Sequence, residues 1–209
     1  MNRTVLTPSL IALAWLGSLL PAQAASTTDL SVYGLITPSA CEPSLSNGGM
    51  HDLGKIAARD LNADQTTPLP TYSLQMAITC EALTLLALEP RDNRLGSNYD
   101  SDKPFKFGLG LINDQQKLGY MVLRLQALVA DGIALRPIGQ TDPFTWAPSA
   151  LLSPDFLTSF AAIGTLVPTP VQVLNAELNI APTIAPTNTL SLENEVPIDG
   201  SVTLSMKYL

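Results

Sequence analysis

Near the C-terminal end of the chain Val202, Leu204, Met206 and Tyr208 occupy every second position, with Thr203, Ser205 and Lys207 between them. That period of two describes a strand with one buried and one wet face. A terminus frays unless it is tied into a sheet, so a strand this close to the C-terminus implies a pairing partner. The same alternation recurs most clearly at Tyr72, Leu74, Met76, Ile78 and Cys80, which puts Cys80 on the inward face of its strand. Further upstream, Leu30, Val32 and Ile36 share a face with Gly34 at the matching position, and residues 37–41 end that strand. Residues 44–49, Ser-Leu-Ser-Asn-Gly-Gly, read as a turn, and a strand is expected around 50–56.

Other stretches are less regular. Residues 83–88 form a continuous apolar run, compatible with a strand buried on both faces or with a short helix. Phe105, Phe107, Leu109 and Leu111 alternate, Asn113 to Gln116 turn the chain, and Leu118, Tyr120 and Val122 resume, which predicts a hairpin. Asp131-Gly132 marks another turn, ahead of residues 133–138. Between 137 and 160 four prolines interrupt the pattern, and Phe144, Trp146, Phe156 and Phe160 fall among them. Such density predicts a long surface excursion rather than a central strand, capping one edge or end of the fold. Trp146 is either a platform for stacking a sugar ring or one of several aromatics pinning that excursion to the core, and the second reading is preferred. Val171 to Ile180 suggest one long strand, with a bulge where the apolar phase shifts between Val173 and Leu174.

Composition supports an all-β fold. Proline and glycine recur, 17 and 13 times, and leave no room for a long uninterrupted helix. The N-terminal stretch has a different character: Arg3, then a mostly apolar run over 5–20, then Pro21 and Ala22-Gln23-Ala24. This is the pattern of a secretory signal peptide cleaved after Ala24, the apolar run being shorter than the ~20 residues of a bilayer span. The expected organisation is a signal peptide over 1–24 and a single exported domain over 25–209, without a membrane span in the mature chain. The chain has 18 acidic and 11 basic residues, and without Arg3 the domain keeps 10 of the basic ones, so it repels nucleic acid and anionic lipid. In an exported chain Cys41 and Cys80 are expected to form a disulfide, stapling the first strand to the strand that carries Cys80.

Several of these segments resemble a known family. Gly34-Leu-Ile-Thr-Pro-Ser-Ala-Cys41, Asp52-Leu-Gly-Lys-Ile56, the alternating strand into Cys80 and the penultimate aromatic Tyr208 look like the pattern of chaperone-usher pilus subunits. Residues 35–49, 107–113 and 195–200 look closer still to exported, fimbria-like proteins of Gram-negative bacteria whose function is largely unknown and which are often labelled fimbrial subunits. The resemblance implies an immunoglobulin-like, pilin-like β-sandwich that lacks its last strand and receives one from a neighbour by β-augmentation. It also implies a periplasmic chaperone, an usher and like subunits as partners, and places the protein in the periplasm, in a fimbrium or at the cell surface. The residues it assigns to strand complementation are Leu30 and Val32 on the donor side and Val202, Leu204, Met206 and Tyr208 on the acceptor side. Ser26 and Thr28 at the preceding alternate positions depart from the deeply apolar donor that such subunits carry.

The catalytic inventory is thin. His51 is the one histidine, no Gly-x-Ser-x-Gly elbow accompanies it, and neither a phosphate-binding nor a dinucleotide-binding fingerprint follows any strand. One histidine with two paired cysteines does not make a tetrahedral zinc site without several carboxylates. Asp92, Asp100 and Asp102 lie close together, but without the spacing of a calcium-binding loop they read as a solvated hairpin loop. The expectation is a non-catalytic protein without a cofactor, with His51 as a partly exposed surface residue: a fimbrial or fimbria-like structural subunit. The alternatives are a stand-alone exported β-sandwich that binds a glycan or a protein, and, third, a hydrolase using two carboxylates whose proximity a sequence does not reveal.

Overall fold

The computed structural model describes Ser31 and residues 40–142 and 144–209. In chain order the strands are β1 (Cys41–Leu45), β2 (Thr67–Pro68), β3 (Tyr72–Thr84), β4 (Leu86–Asp92), β5 (Phe107–Gly108), β6 (Leu111–Ile112), β7 (Gln116–Lys117), β8 (Gly119–Ala130), β9 (Ile133–Asp142), β10 (Thr145–Pro148), β11 (Thr158–Ala162), β12 (Val171–Ile184) and β13 (Val202–Tyr208). Among the described residues the only helical turns are three short 3-10 segments. Among the described residues no helix is long and apolar enough to cross a membrane.

The principal strands form one hydrogen-bonded path, β1-β3-β12-β8-β9-β11-β4-β13, with β2 added to β12, β5 to β8 and β10 to β9. The path doubles back at the hairpin between β8 and β9, where only Val129 with Ala134 and Ala130 with Ile133 are paired. Asp131 and Gly132 at φ 51° and 80° make its two-residue turn, the backbone that an Asp-Gly pair favours in a tight hairpin. On one side of this corner lie β1, β3, β12 and β8, and on the other β9, β11, β4 and β13. The expected all-β sandwich with one disulfide is therefore what forms. Its core runs between the layers: Ile78 of β3, Leu125 of β8, Leu174 of β12, Leu88 of β4 and Phe160 of β11 are fully buried. Every even position of β3 from Leu74 to Cys80 points into it.

Several expectations need correction. Residues 83–88 are neither a helix nor a single buried strand. The chain changes layer between Thr84 and Leu86, leaving Leu83 exposed at the corner, while Leu86, Ala87 and Leu88 are buried on both faces of β4. The inward phase of β8 is Met121, Leu123 and Leu125 rather than Tyr120 and Val122. Gly119 separates that phase from buried Leu118, because a side chain there would meet the Thr183 carbonyl at 2.2 Å. The hairpin expected here does form: β5 with β8 and β6 with β7 keep one antiparallel register about the turn at Asn113 and Asp114, the ladder being interrupted around buried Leu109.

The largest departure is at 137–160, which is not a surface excursion. Pro137 lies within β9 opposite Phe160 of β11. A proline is tolerated there because the other edge of β9 has no partner at that point: β8 stops pairing at Ala134 and β10 starts at Ile138. Phe160 is a core residue, Trp146 and Phe156 are half-buried, and Phe144 stands out at the tip of the β9–β10 hairpin. β12 has a bulge, but between Val171 and Val173 rather than between Val173 and Leu174, which pair in register with Thr79 and Ile78. A second lies opposite residues 175–177, where Ala127 of β8 takes a left-handed φ of 50°.

Candidate functional site

Among the described residues both ends of the strand path are free edges. At one end β1 pairs with β3 alone, Cys41 opposite Cys80, and the two sulfurs are bonded at 2.04 Å. At the other end β13 pairs with β4 alone, Tyr208 opposite Leu86 and Val202 opposite Asp92. Among the described residues the outer edges of β1 and β13 carry no second strand. The turn after β1 is built by Asn47, Gly48 and Gly49, all at positive φ, where glycine is tolerated without strain.

The strand expected at 50–56 does not form. These residues run extended without a strand partner, as do 195–200, which lead into β13. Between the two segments lies a cavity of about 660 Å³. Leu53, Ile56, Val196 and Ile198 line its sides, and Leu118 and Ile184 of the core lie beneath. Among the described residues the backbone groups of 192–198 have no hydrogen-bond partner, and of 53–56 only Gly54 does, donating to Asp52 Oδ1 at 2.8 Å. Partly buried, extended and unpaired backbone beside an apolar slot is a template for an added strand.

The borders of this groove are latched at both ends. Near the end of β13, Tyr208 Oη accepts the Cys41 N–H at 3.2 Å, and at the far end Lys55 Nζ donates to Glu195 Oε1 at 2.8 Å. Both side chains of the second latch are almost fully exposed, so it adds little stability. Between the latches Val202, Leu204 and Met206 rest against the core and are only half covered, and Tyr208 is 37% exposed. The inward face of β13 is thus short of one layer of cover. Of the six residues assigned to strand complementation, Val202, Leu204, Met206 and Tyr208 fall together on β13, which continues the 195–198 wall of the slot without itself lining the cavity, whereas Leu30 and Val32 lie outside the described residues. Sequence reasoning missed the opposite wall: Leu53 and Ile56 are three apart and show no strand period.

The candidate chemistry elsewhere is structural in character. His51 stacks on Tyr72 with ring centroids 3.5 Å apart, and burial pushes the Tyr72 phenol above its ordinary value. Asp92 is buried rather than solvated, its carboxylate accepting the N–H groups of Arg94 at 2.8 Å and Gly108 at 2.9 Å. Asp100 pairs with Lys106, whose ammonium also sits 3.8 Å from the Tyr120 ring centroid. The Lys106 hydrogen bond holds Asp100 below the usual carboxylate range. Among the described residues no group of three potential metal ligands comes together.

Comparison with known proteins finds one family model and two curated relatives. Residues 30–105 match the family described as "Protein of unknown function (DUF1120)". Over 223 residues the chain is 27% identical to "Uncharacterized protein YhcF" of Escherichia coli (strain K12), covering 90% of this chain and 93% of that protein. It is 28% identical over 224 residues to "Protein GltF" of the same organism, covering 87% of this chain and 88% of that one. The matched segment 30–105 contains β1, the disulfide and one wall of the groove.

Proposed function

We propose that this protein is a non-catalytic, fimbria-like structural subunit, exported to the periplasm, a fimbrium or the cell surface, and assembled or held there through β-strand complementation of the groove between β1 and β13. The observation that carries the reading is the half-covered inward face of β13 beside a free edge and a slot lined by unpaired backbone. An extended segment laid in that slot would satisfy main-chain donors and acceptors and cover Val202, Leu204, Met206 and Tyr208 in one step. The Cys41–Cys80 disulfide fits an oxidising compartment. In this reading the donor is the segment around Leu30 and Val32 of a like subunit, and a periplasmic chaperone fills the groove before assembly, an usher guiding the exchange.

The experiment is a thermal melt of the chain from residue 25 to 209 with and without a synthetic peptide of residues 25–36. A rise in Tm with peptide concentration is expected, because a ligand bound only by the folded state adds about 2.7 kcal/mol at a hundredfold excess over its Kd. A monomer that melts cooperatively at high temperature and ignores the peptide would end the proposal. One observation favours a second reading, a stand-alone sandwich that binds a glycan or a protein: Phe144 is 93% exposed at a hairpin tip two residues from the half-buried Trp146. A peptide-indifferent monomer would promote it.

A further inference from the structure

The end of the sandwich where β8 turns into β9 gathers exposed apolar side chains from separate elements. In the turn, Asp131 Oδ2 and Oδ1 accept the N–H groups of Gln172 and Val173, both at 2.9 Å, drawing the start of β12 to the corner. The pairing of Val171 with Thr84 sets Leu83 alongside, and that of Ala162 with Leu135 brings the loop after β11 to the same end. Leu83 is 66% exposed, Ile133 64%, Ile163 and Val167 71% each, and Val129 and Val173 41% each. A single exposed aliphatic residue needs no explanation, but convergence of six from four strands and a loop on one end does. The same end holds Ala40, whose carbonyl accepts the Glu81 N–H at 3.0 Å, so the chain preceding β1 joins the sandwich there.

We infer that this apolar end is a second contact of the subunit junction, packing on a second copy of this chain. The inference rests on the proposed strand complementation and names a surface outside the groove. Residues 33–39 separate Val32 from Ala40 and span at most about 25 Å when extended. A copy that holds Leu30 and Val32 in its groove is therefore tethered beside the patch, at an effective concentration on the order of millimolar. Under that tether a contact too small to associate two free proteins still forms.

Direction selects the facing surface. β13 runs toward the patch end, its successor Leu209 donating to the Leu85 carbonyl at 3.1 Å. A donor strand antiparallel to it, the more stable pairing, leaves the groove at the opposite end of the host. That end carries the loop after β4 and the β9–β10 tip, where Leu95 is 83% and Phe144 93% exposed. The patch of one copy meets Leu95 and Phe144 of the next. Such a contact is heterologous, and wherever the rotation between copies does not close a ring it propagates as a filament.

The test uses the chain from 25 to 209 carrying Ile133→Lys with Val167→Lys, Leu95→Lys with Phe144→Lys, or all four. All four positions are exposed, and melts should show the fold kept. Two readouts are taken: dissociation rate of the self-assembled species, and affinity for the 25–36 peptide. Each double variant should dissociate about tenfold faster, a change of about 1.4 kcal/mol, with peptide affinity unchanged. The fourfold variant should be no faster than either double, because both changes break the same contact. Unchanged dissociation in the patch variant, with the peptide still binding, would overturn the junction and leave the groove reading standing. Failure of the unaltered chain to bind the peptide would remove both.

Discussion

Thr158 in β11 is fully buried, and its hydroxyl is the one buried side-chain polar atom without a hydrogen-bond partner among the described residues. Its neighbour Ser159 shows the satisfied alternative, donating to the Leu86 carbonyl at 2.7 Å across the layer. A buried hydroxyl left unpaired costs about 1–3 kcal/mol of desolvation. Thr158→Val, which keeps the β-branched shape, should therefore raise stability by about 1 kcal/mol in chemical denaturation, whereas Ser159→Ala should lower it by a similar amount. Equal effects of the two substitutions would show that Thr158 is paired in solution.

The loop between β4 and β5 is clamped by ionic contacts that titrate at opposite ends of the pH range. Asp100 is held low by the Lys106 hydrogen bond, so its contribution is present above its ordinary pKa of about 3.9 and is lost as pH falls through the depressed value. For Lys106, burial pulls the ammonium down, but hydrogen bonds to Asp100 and Tyr120 outweigh it and leave the group raised. Its contribution is therefore present below about 10.4 and lost as pH rises through the raised value. Amide exchange in residues 97–106 should stay slow between these limits and quicken outside them, and Asp100→Asn should abolish the acid limb. None of this was legible in the sequence, where Asp100 read as one of three solvated carboxylates. β3 was legible because both its faces obey a period of two. β9 was not, since only the gap between its successive partners β8 and β10 makes room for Pro137. The groove was half legible: β13 shows its alternation openly, while the wall formed by Leu53 and Ile56 is defined by unpaired backbone, which leaves no periodic trace.

The sandwich as a whole depends on β13 more than its edge position suggests. Val202, Leu204, Met206 and Tyr208, each half-covered, contribute roughly 1 kcal/mol apiece, about half the value of full burial. Their sum of about 4 kcal/mol approaches the low end of total domain stability, about 5–15 kcal/mol. Deleting residues 201–209 should therefore prevent accumulation of folded protein, as measured by soluble yield and the loss of a cooperative melt. The pairing that β13 makes has a temporal meaning as well. Its partner β4 lies more than a hundred residues earlier, and the Tyr208 latch to Cys41 spans a separation of 167. Contacts this distant in sequence form slowly. A chain emerging from its N-terminus would thus hold β4 with an open edge until residues 202–208 arrive, and through that interval the exposed edge is a route to misassembly.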